Sequence, residues 1–161
     1  MCEDEVSAWM VQRIPQDWFS GPPQVDCDGD EILVIGPLDG DRARPGESAT
    51  ARIDRFRGAT REQRMRIAQA AERRFGRRVS WGASAGGERR LFTTLSVPVM
   101  TRLRLPERQV LDTLVGAGVA RSRSDALAWC VRLVAKHEAD WIAELREALV
   151  RVGELRRKGP A

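Results

Sequence analysis

The chain has 161 residues, 42% apolar and 31% charged, with a net charge of +4, a balance that suits a soluble globular protein and excludes a disordered one. Its longest apolar run, Ile32 to Ile35, is far too short to span a bilayer, and the acidic start at Glu3, Asp4 and Glu5 lacks the basic region of a signal peptide, so a cytoplasmic protein is expected. Cys2, Cys27 and Cys130 make no C-x-x-C pair, which argues against a disulfide framework and a zinc site and leaves three reduced thiols.

Charge is polarised along the chain. Met1 to Thr50 carries eleven acidic and three basic residues, a net −8; Ala51 to Ser96 is +8 and Val97 to Ala161 is +4. This distribution suits a polyanionic partner, although a solvated basic helix face gives the same tally. Arginine abundance alone says little, because base composition of the coding DNA produces it too.

In chain order, Pro15, Pro22 and Pro23 predict an irregular first stretch. Asp28-Gly29, between Gln24–Cys27 and Asp30–Ile35, reads as a hairpin turn, since Asp-Gly accepts positive φ. Asp26, Asp28 and Asp30 invite a calcium assignment, but an EF-hand loop needs Gly at its sixth position and Glu at its twelfth, where this chain has Glu31 and Pro37. A loop over Gly36–Gly46 precedes a short helix around Ser48–Phe56. Thr60-Arg61-Glu62-Gln63 has the form of a capping box, opening a helix with Met65, Ala68, Ala71 and Phe75 on its apolar face. Arg61, Arg64, Arg66, Arg73 and Arg74 lie on the other face, and Gly76 supplies the stop. Strands at Arg78–Ala83 and Leu91–Leu95 flank a turn at Ser84–Gly87. Residues 1–96 therefore read as a small α+β domain, and Pro98 marks its boundary with a second domain over 97–161.

The second domain carries the informative pattern. Met100-Thr101-Arg102-Leu103-Arg104-Leu105 is a short alternating strand ended by Pro106; Met100, Arg102 and Arg104 share one face, and Thr101, Leu103 and Leu105 the other. A helix follows from about Glu107 to Ala117, with Val110, Leu111, Leu114 and Val115 as its apolar stripe and Gly118 past its end. Ser122-Arg123-Ser124-Asp125 is a second capping box, and Leu127, Cys130, Val131 and Val134 recur at helical spacing behind it. Trp141, Leu145, Ala148, Val152 and Leu155 suggest a further helix, continuing the second or packing beside it.

The strand Thr101–Pro106, the hinge Leu114-Val115-Gly116-Ala117-Gly118 and the helix start Ser122-Arg123-Ser124-Asp125-Ala126-Leu127 together resemble the Arc/MetJ/CopG-like ribbon-helix-helix superfamily of DNA-binding proteins. The likeness covers Val99–Ala135, and Met100 departs from it, standing where the family often has a polar side chain. It implies a homodimer whose paired strands form an antiparallel ribbon in the major groove of double-stranded DNA. On that likeness Met100, Arg102 and Arg104 contact bases. Arg121, Ser122, Arg123 and Ser124 contact phosphates at a helix N-terminus, and Leu103, Leu105, Leu111, Leu114, Leu127 and Val131 form the dimer core. A transcriptional repressor is the implied role. The rival is an ordinary edge strand followed by a plain helical hairpin.

An enzyme is not expected: the single histidine, His137, has no nucleophile pattern near it, and Gly82, Gly86 and Gly87 form no phosphate loop. No cofactor and no metal site are expected. Three roles stay open for residues 1–96: a sensor or partner-binding domain for a protein or a small-molecule effector, the toxin-neutralising half of an antitoxin, or added DNA surface along Arg61–Arg78. A protein-interaction module without DNA binding is the remaining alternative. Trp9, Trp18, Trp81, Trp129 and Trp141 either line a ligand pocket or fill cores and interfaces.

Overall fold

The computed structural model describes residues 3–39, 44 and 46–159, so Cys2 and most of the expected loop after Pro37 lie outside the described residues. The chain is a mixed α+β protein that divides into two compact units, Met1–Val99 and Met100–Ala161.

The first stretch, expected to be irregular, opens with an α-helix, α1 (Glu3–Arg13). Pro15 lies beyond its last residue and so ends the helix instead of preventing it. Val6, Met10 and Ile14 recur four apart and are all buried. A hairpin follows, β1 (Gln24–Cys27) against β2 (Glu31–Pro37), antiparallel, with Val25 opposite Val34. The Asp28 carboxylate closes the turn by accepting the backbone N–H groups of Asp30 and Glu31 at 2.9 and 2.8 Å, which holds its carboxyl below the usual carboxylate range.

Two helices cross from β2 to the next strand. The first, α2 (Ala49–Ala59), is capped by Ser48, whose Oγ accepts the Ala51 N–H at 3.2 Å. The second, α3 (Arg61–Phe75), follows after Thr60 alone and ends at Gly76, which takes φ 67°. Two expectations about α3 fail here. Thr60 caps nothing with its side chain: its backbone is not extended, and its hydroxyl donates to Phe56 O at 2.7 Å and accepts from Arg64 Nε at 2.9 Å. The buried face is also rotated, running through Arg64, Ile67, Ala71 and Phe75, while Met65 faces solvent. Arg64 is only 7% exposed because a carbonyl of the preceding helix, Arg57 O, accepts its Nη2 at 2.6 Å and the Phe92 ring covers its guanidinium.

The third strand, β3 (Arg78–Ala85), runs parallel to β2 with Trp81 opposite Val34, and β4 (Glu88–Leu91) returns antiparallel, giving the order β1-β2-β3-β4. β4 shares only Leu91 with the strand expected at Leu91–Leu95, because Gly86 and Gly87, at φ 53° and 82°, make the turn tight and bring the strand forward. The core packs Val6, Met10 and Trp18 with Ile67, Phe75 and the sheet residues Ile32, Val34 and Trp81. Gly36 admits the Phe19 ring so closely that a Cβ there would lie 2.1 Å from its Cδ1.

Among the described residues the second unit contains three helices, α4 (Leu105–Gly116), α5 (Arg123–His137) and α6 (Ala139–Lys158). α6 is a separate helix, divided from α5 by Glu138 alone. Residues 96–104 hold no regular hydrogen-bonded structure. A lone strand in a single chain has no neighbour with which to build a ladder. α4 begins earlier than expected, so Leu105 belongs to its first turn and is 59% exposed, outside any strand. The unit's own buried core is small: Leu111, Ala120 and Ala126, with Leu103, Leu114, Val115, Leu127 and Cys130 packed around it. Among the described residues no helix is long and apolar enough to cross a membrane.

Candidate nucleic-acid interface

The segment that enters α4 sets the first half of the site. Arg104 has an extended backbone, φ −81° and ψ 176°, and serves as the N-cap position of α4. The Leu103 side chain turns inward onto the small core, whereas Met100 is 95% exposed and Arg102 and Arg104 are also exposed. Alternate side chains thus split between core and solvent across Arg102, Leu103 and Arg104. Thr101 is exposed as well, so the inward face extends to Leu103 alone in the single chain. Arg108 was not singled out by sequence reasoning, yet its Nη1 donates to Leu103 O at 2.8 Å and pins the end of the segment to the first turn of α4. Its place four residues after Arg104 is the visible signal.

The start of α5 forms the second half. Ser122 is extended at φ −157° and ψ 166°, and its Oγ accepts the Asp125 N–H at 3.2 Å. Asp125 reaches back, its Oδ2 accepting the Arg121 backbone N–H at 3.1 Å and Arg121 Nε at 3.4 Å; these bonds hold its carboxyl below the usual range. Gly118, at φ 73°, turns the chain between the two helices.

Arg123, for which the resemblance implies a phosphate contact, is exposed at the start of α5. It pairs with Asp112 of α4 in a two-pronged contact, Nε to Oδ1 and Nη2 to Oδ2, both 2.6 Å. That pair lowers the Asp112 pKa, raises that of Arg123, and ties α5 to α4. The exposed Arg121 and Ser124 remain at the helix start with its first backbone N–H groups.

The expected dimer-core residues fall into two sets. Leu111 is buried, and Leu103, Leu114 and Leu127 are half-buried within the unit. Val131 is 63% exposed and Leu105 similarly open, along with Val110 and Val134 and, on α6, Trp141, Leu145, Leu149 and Leu155. So many large apolar side chains around so small a core form a surface that monomeric soluble proteins rarely leave in water.

In the first unit, the basic face of α3 is partly neutralised: Arg74 pairs with Glu5 at 3.0 Å and Arg66 with Glu62 at 3.8 Å, and Arg64 lies buried. Among the described residues no cluster of three or more His, Cys, Asp or Glu could hold a metal ion.

Two family models match the chain. The model described as the Rv1265-like protein, N-terminal domain, matches residues 4–91, and that of the Mb1296 C-terminal domain matches residues 104–156. The chain is 57% identical over 155 residues to uncharacterized protein Mb1296 of Mycobacterium bovis and to uncharacterized proteins Rv1265 and MT1303 of Mycobacterium tuberculosis, covering 94% of this chain and 69% of each relative. Neither family description names a fold or an activity. No solved structure matches.

Proposed function

The chain belongs to the Rv1265-like family, and we propose that it binds double-stranded DNA in a sequence-specific way as a homodimer, acting as a transcriptional repressor through its second unit. The observation that carries this reading is the segment before α4, which lies outside any helix or strand, with Leu103 turned into the core and Arg102 and Arg104 turned to solvent. Antiparallel pairing of two such segments satisfies their backbone N–H and C=O groups and makes a two-stranded ribbon. The major groove admits a ribbon of this width, and arginine reads guanine there, at about 1–3 kcal/mol of discrimination for each two-pronged contact.

The exposed apolar surface supports the same reading. A second copy covers Val131 and its neighbours, which one copy leaves in water. Phosphates then sit at the start of α5, held by its free N–H groups, Arg121 and Ser124, with Arg123 keeping α5 in place through Asp112.

Selection from a random pool of duplex DNA at one fixed salt concentration tests the proposal, with wild type beside the Arg102→Ala/Arg104→Ala variant. Wild type is expected to enrich a short palindromic or repeated site that the variant, still dimeric, does not. Enrichment of no site by wild type overturns the DNA reading and turns attention to protein partners.

A further inference from the structure

We propose that α6 pairs antiparallel with α6 of a second copy of this chain, Glu144 of each meeting the partner's Arg151. The contact is distinct from the strand pairing of the DNA reading, since every residue it uses lies beyond the end of α5.

α6 covers none of its apolar surface within its own unit. None of its 20 residues is buried, and Trp141 and Leu155 stand 56% and 66% exposed. Trp141, Leu145, Ala148, Val152 and Leu155 alternate at steps of four and three, the spacing that lines the edge of one helix packed along another. Glu144 and Arg151 flank this seam on one side, and Ile142 and Leu149 flank it on the other. Among the described residues neither Glu144 nor Arg151 has an ion-pair partner, and both are exposed.

Size and charge together choose the direction of pairing. In a parallel pair each seam residue meets its own copy. Trp141 then crowds the partner's Trp141, Ala148 faces the partner's Ala148 across a gap, and Arg151 lies near the partner's Arg156. Turned antiparallel, Trp141 meets the partner's Val152 and Leu145 meets the partner's Ala148, a large side chain against a smaller one in each layer. The same register lays Ile142 beside the partner's Leu149 and brings Glu144 to the partner's Arg151. Two-fold symmetry makes each of these contacts twice. Sliding the pair one heptad either way sets Arg151 or Glu144 against its own copy, so a single register matches size and charge at once. The interface is small, of the class that holds weakly alone, so the contact reinforces whatever else joins the copies.

Sedimentation of the full chain at low salt over a concentration series tests this with Glu144→Arg, Arg151→Glu and the chain carrying both changes. Each single change turns two attractions into two repulsions and is expected to raise the concentration at which half the chains are associated by about tenfold. The double change reinstates opposite charges and is expected to return that concentration to within about threefold of wild type. An equimolar mixture of the two single variants, whose charges are complementary, is expected to associate more tightly than either alone. An Arg151→Glu chain that associates more tightly than wild type indicates a parallel pair and overturns the assignment. A double variant as weak as the singles overturns it too. Single variants that match wild type at every concentration overturn the α6 contact and leave the strand-paired dimer standing, whereas wild type that stays a single chain throughout overturns both.

Discussion

Replacing Gly36 by alanine tests how tightly the first unit is built around its aromatic cluster. Backbone preference alone favours the change, since glycine within a strand costs roughly 0.5–1 kcal/mol relative to alanine. Packing points the other way. The new Cβ would lie 2.1, 2.2 and 2.3 Å from Cδ1, Cε1 and Cγ of Phe19. Carbon atoms rest about 3.5–4.0 Å apart, so the ring must retreat by about 1.2 Å or more. Cγ is the root of the ring and cannot escape by a swing of the far end alone. Phe56 and Trp18 stand against the ring, with centroids 5.3 and 6.3 Å away. Overpacking of this kind costs about 1–3 kcal/mol, which exceeds the propensity gain at all but the bottom of that range. The net loss lowers the melting temperature of a unit this size by about 4–8 °C per kcal/mol, read from near-ultraviolet circular dichroism of the full chain. In a Phe19→Leu background the same glycine change is expected to cost far less, a departure from additivity that identifies the ring as the obstacle. A Gly36→Ala protein as stable as wild type, or costs that simply add, would refute the reasoning.

Three further outcomes follow from the geometry. Arg55 holds the Glu47 carboxyl at a pKa of about 2, against 4.5 for the ordinary group. Because the folded value is the lower one, the pair stabilises the fold above pH 4.5 and loses that contribution as pH falls toward about 2. The melting difference between wild type and Glu47→Gln should therefore shrink through that window; a difference independent of pH contradicts it. Ser122→Ala removes the side-chain cap of α5 and is expected to cost about 1 kcal/mol in denaturant unfolding, whereas Ser124→Ala, which removes no cap, leaves stability nearly unchanged. Val131→Asp places a charge on the surface assigned to the second copy and should convert a dimer to a monomer in light scattering; wild type that is itself monomeric at all concentrations argues against the assigned interface.

The hairpin over Gln24–Ile35, the αL stop at Gly76 and the Ser122 cap were legible because each is a local matter of turn chemistry or backbone φ. α1 was missed because prolines were read as disrupting the whole stretch, although Val6, Met10 and Ile14 already marked one helical face ahead of them. The buried face of α3 escaped for a different reason. Arg64 is stable inside because the Thr60 hydroxyl, Arg57 O and the Phe92 ring receive it, and nothing at Arg64 itself announces the last two. At the candidate DNA site, alternation separates the half-buried Leu103 from the exposed Arg102 and Arg104, but the strand expected over Met100–Leu105 does not form in the single chain: Thr101 is exposed and Leu105 belongs to the first turn of α4. The Asp112–Arg123 clamp joins residues eleven apart on different helices, a distance at which spacing rules give no signal.

The most direct test of DNA reading is the ratio of affinities for a selected duplex and a scrambled one, measured at one salt concentration. Specific binders commonly show about 10³-fold preference or more, and phosphate contacts alone give none. Wild type is predicted to reach such a ratio, and Arg102→Ala/Arg104→Ala to fall toward unity while remaining dimeric and keeping its affinity for the scrambled duplex within about tenfold. A wild-type ratio near one, or a variant that discriminates as well as wild type, would contradict the account.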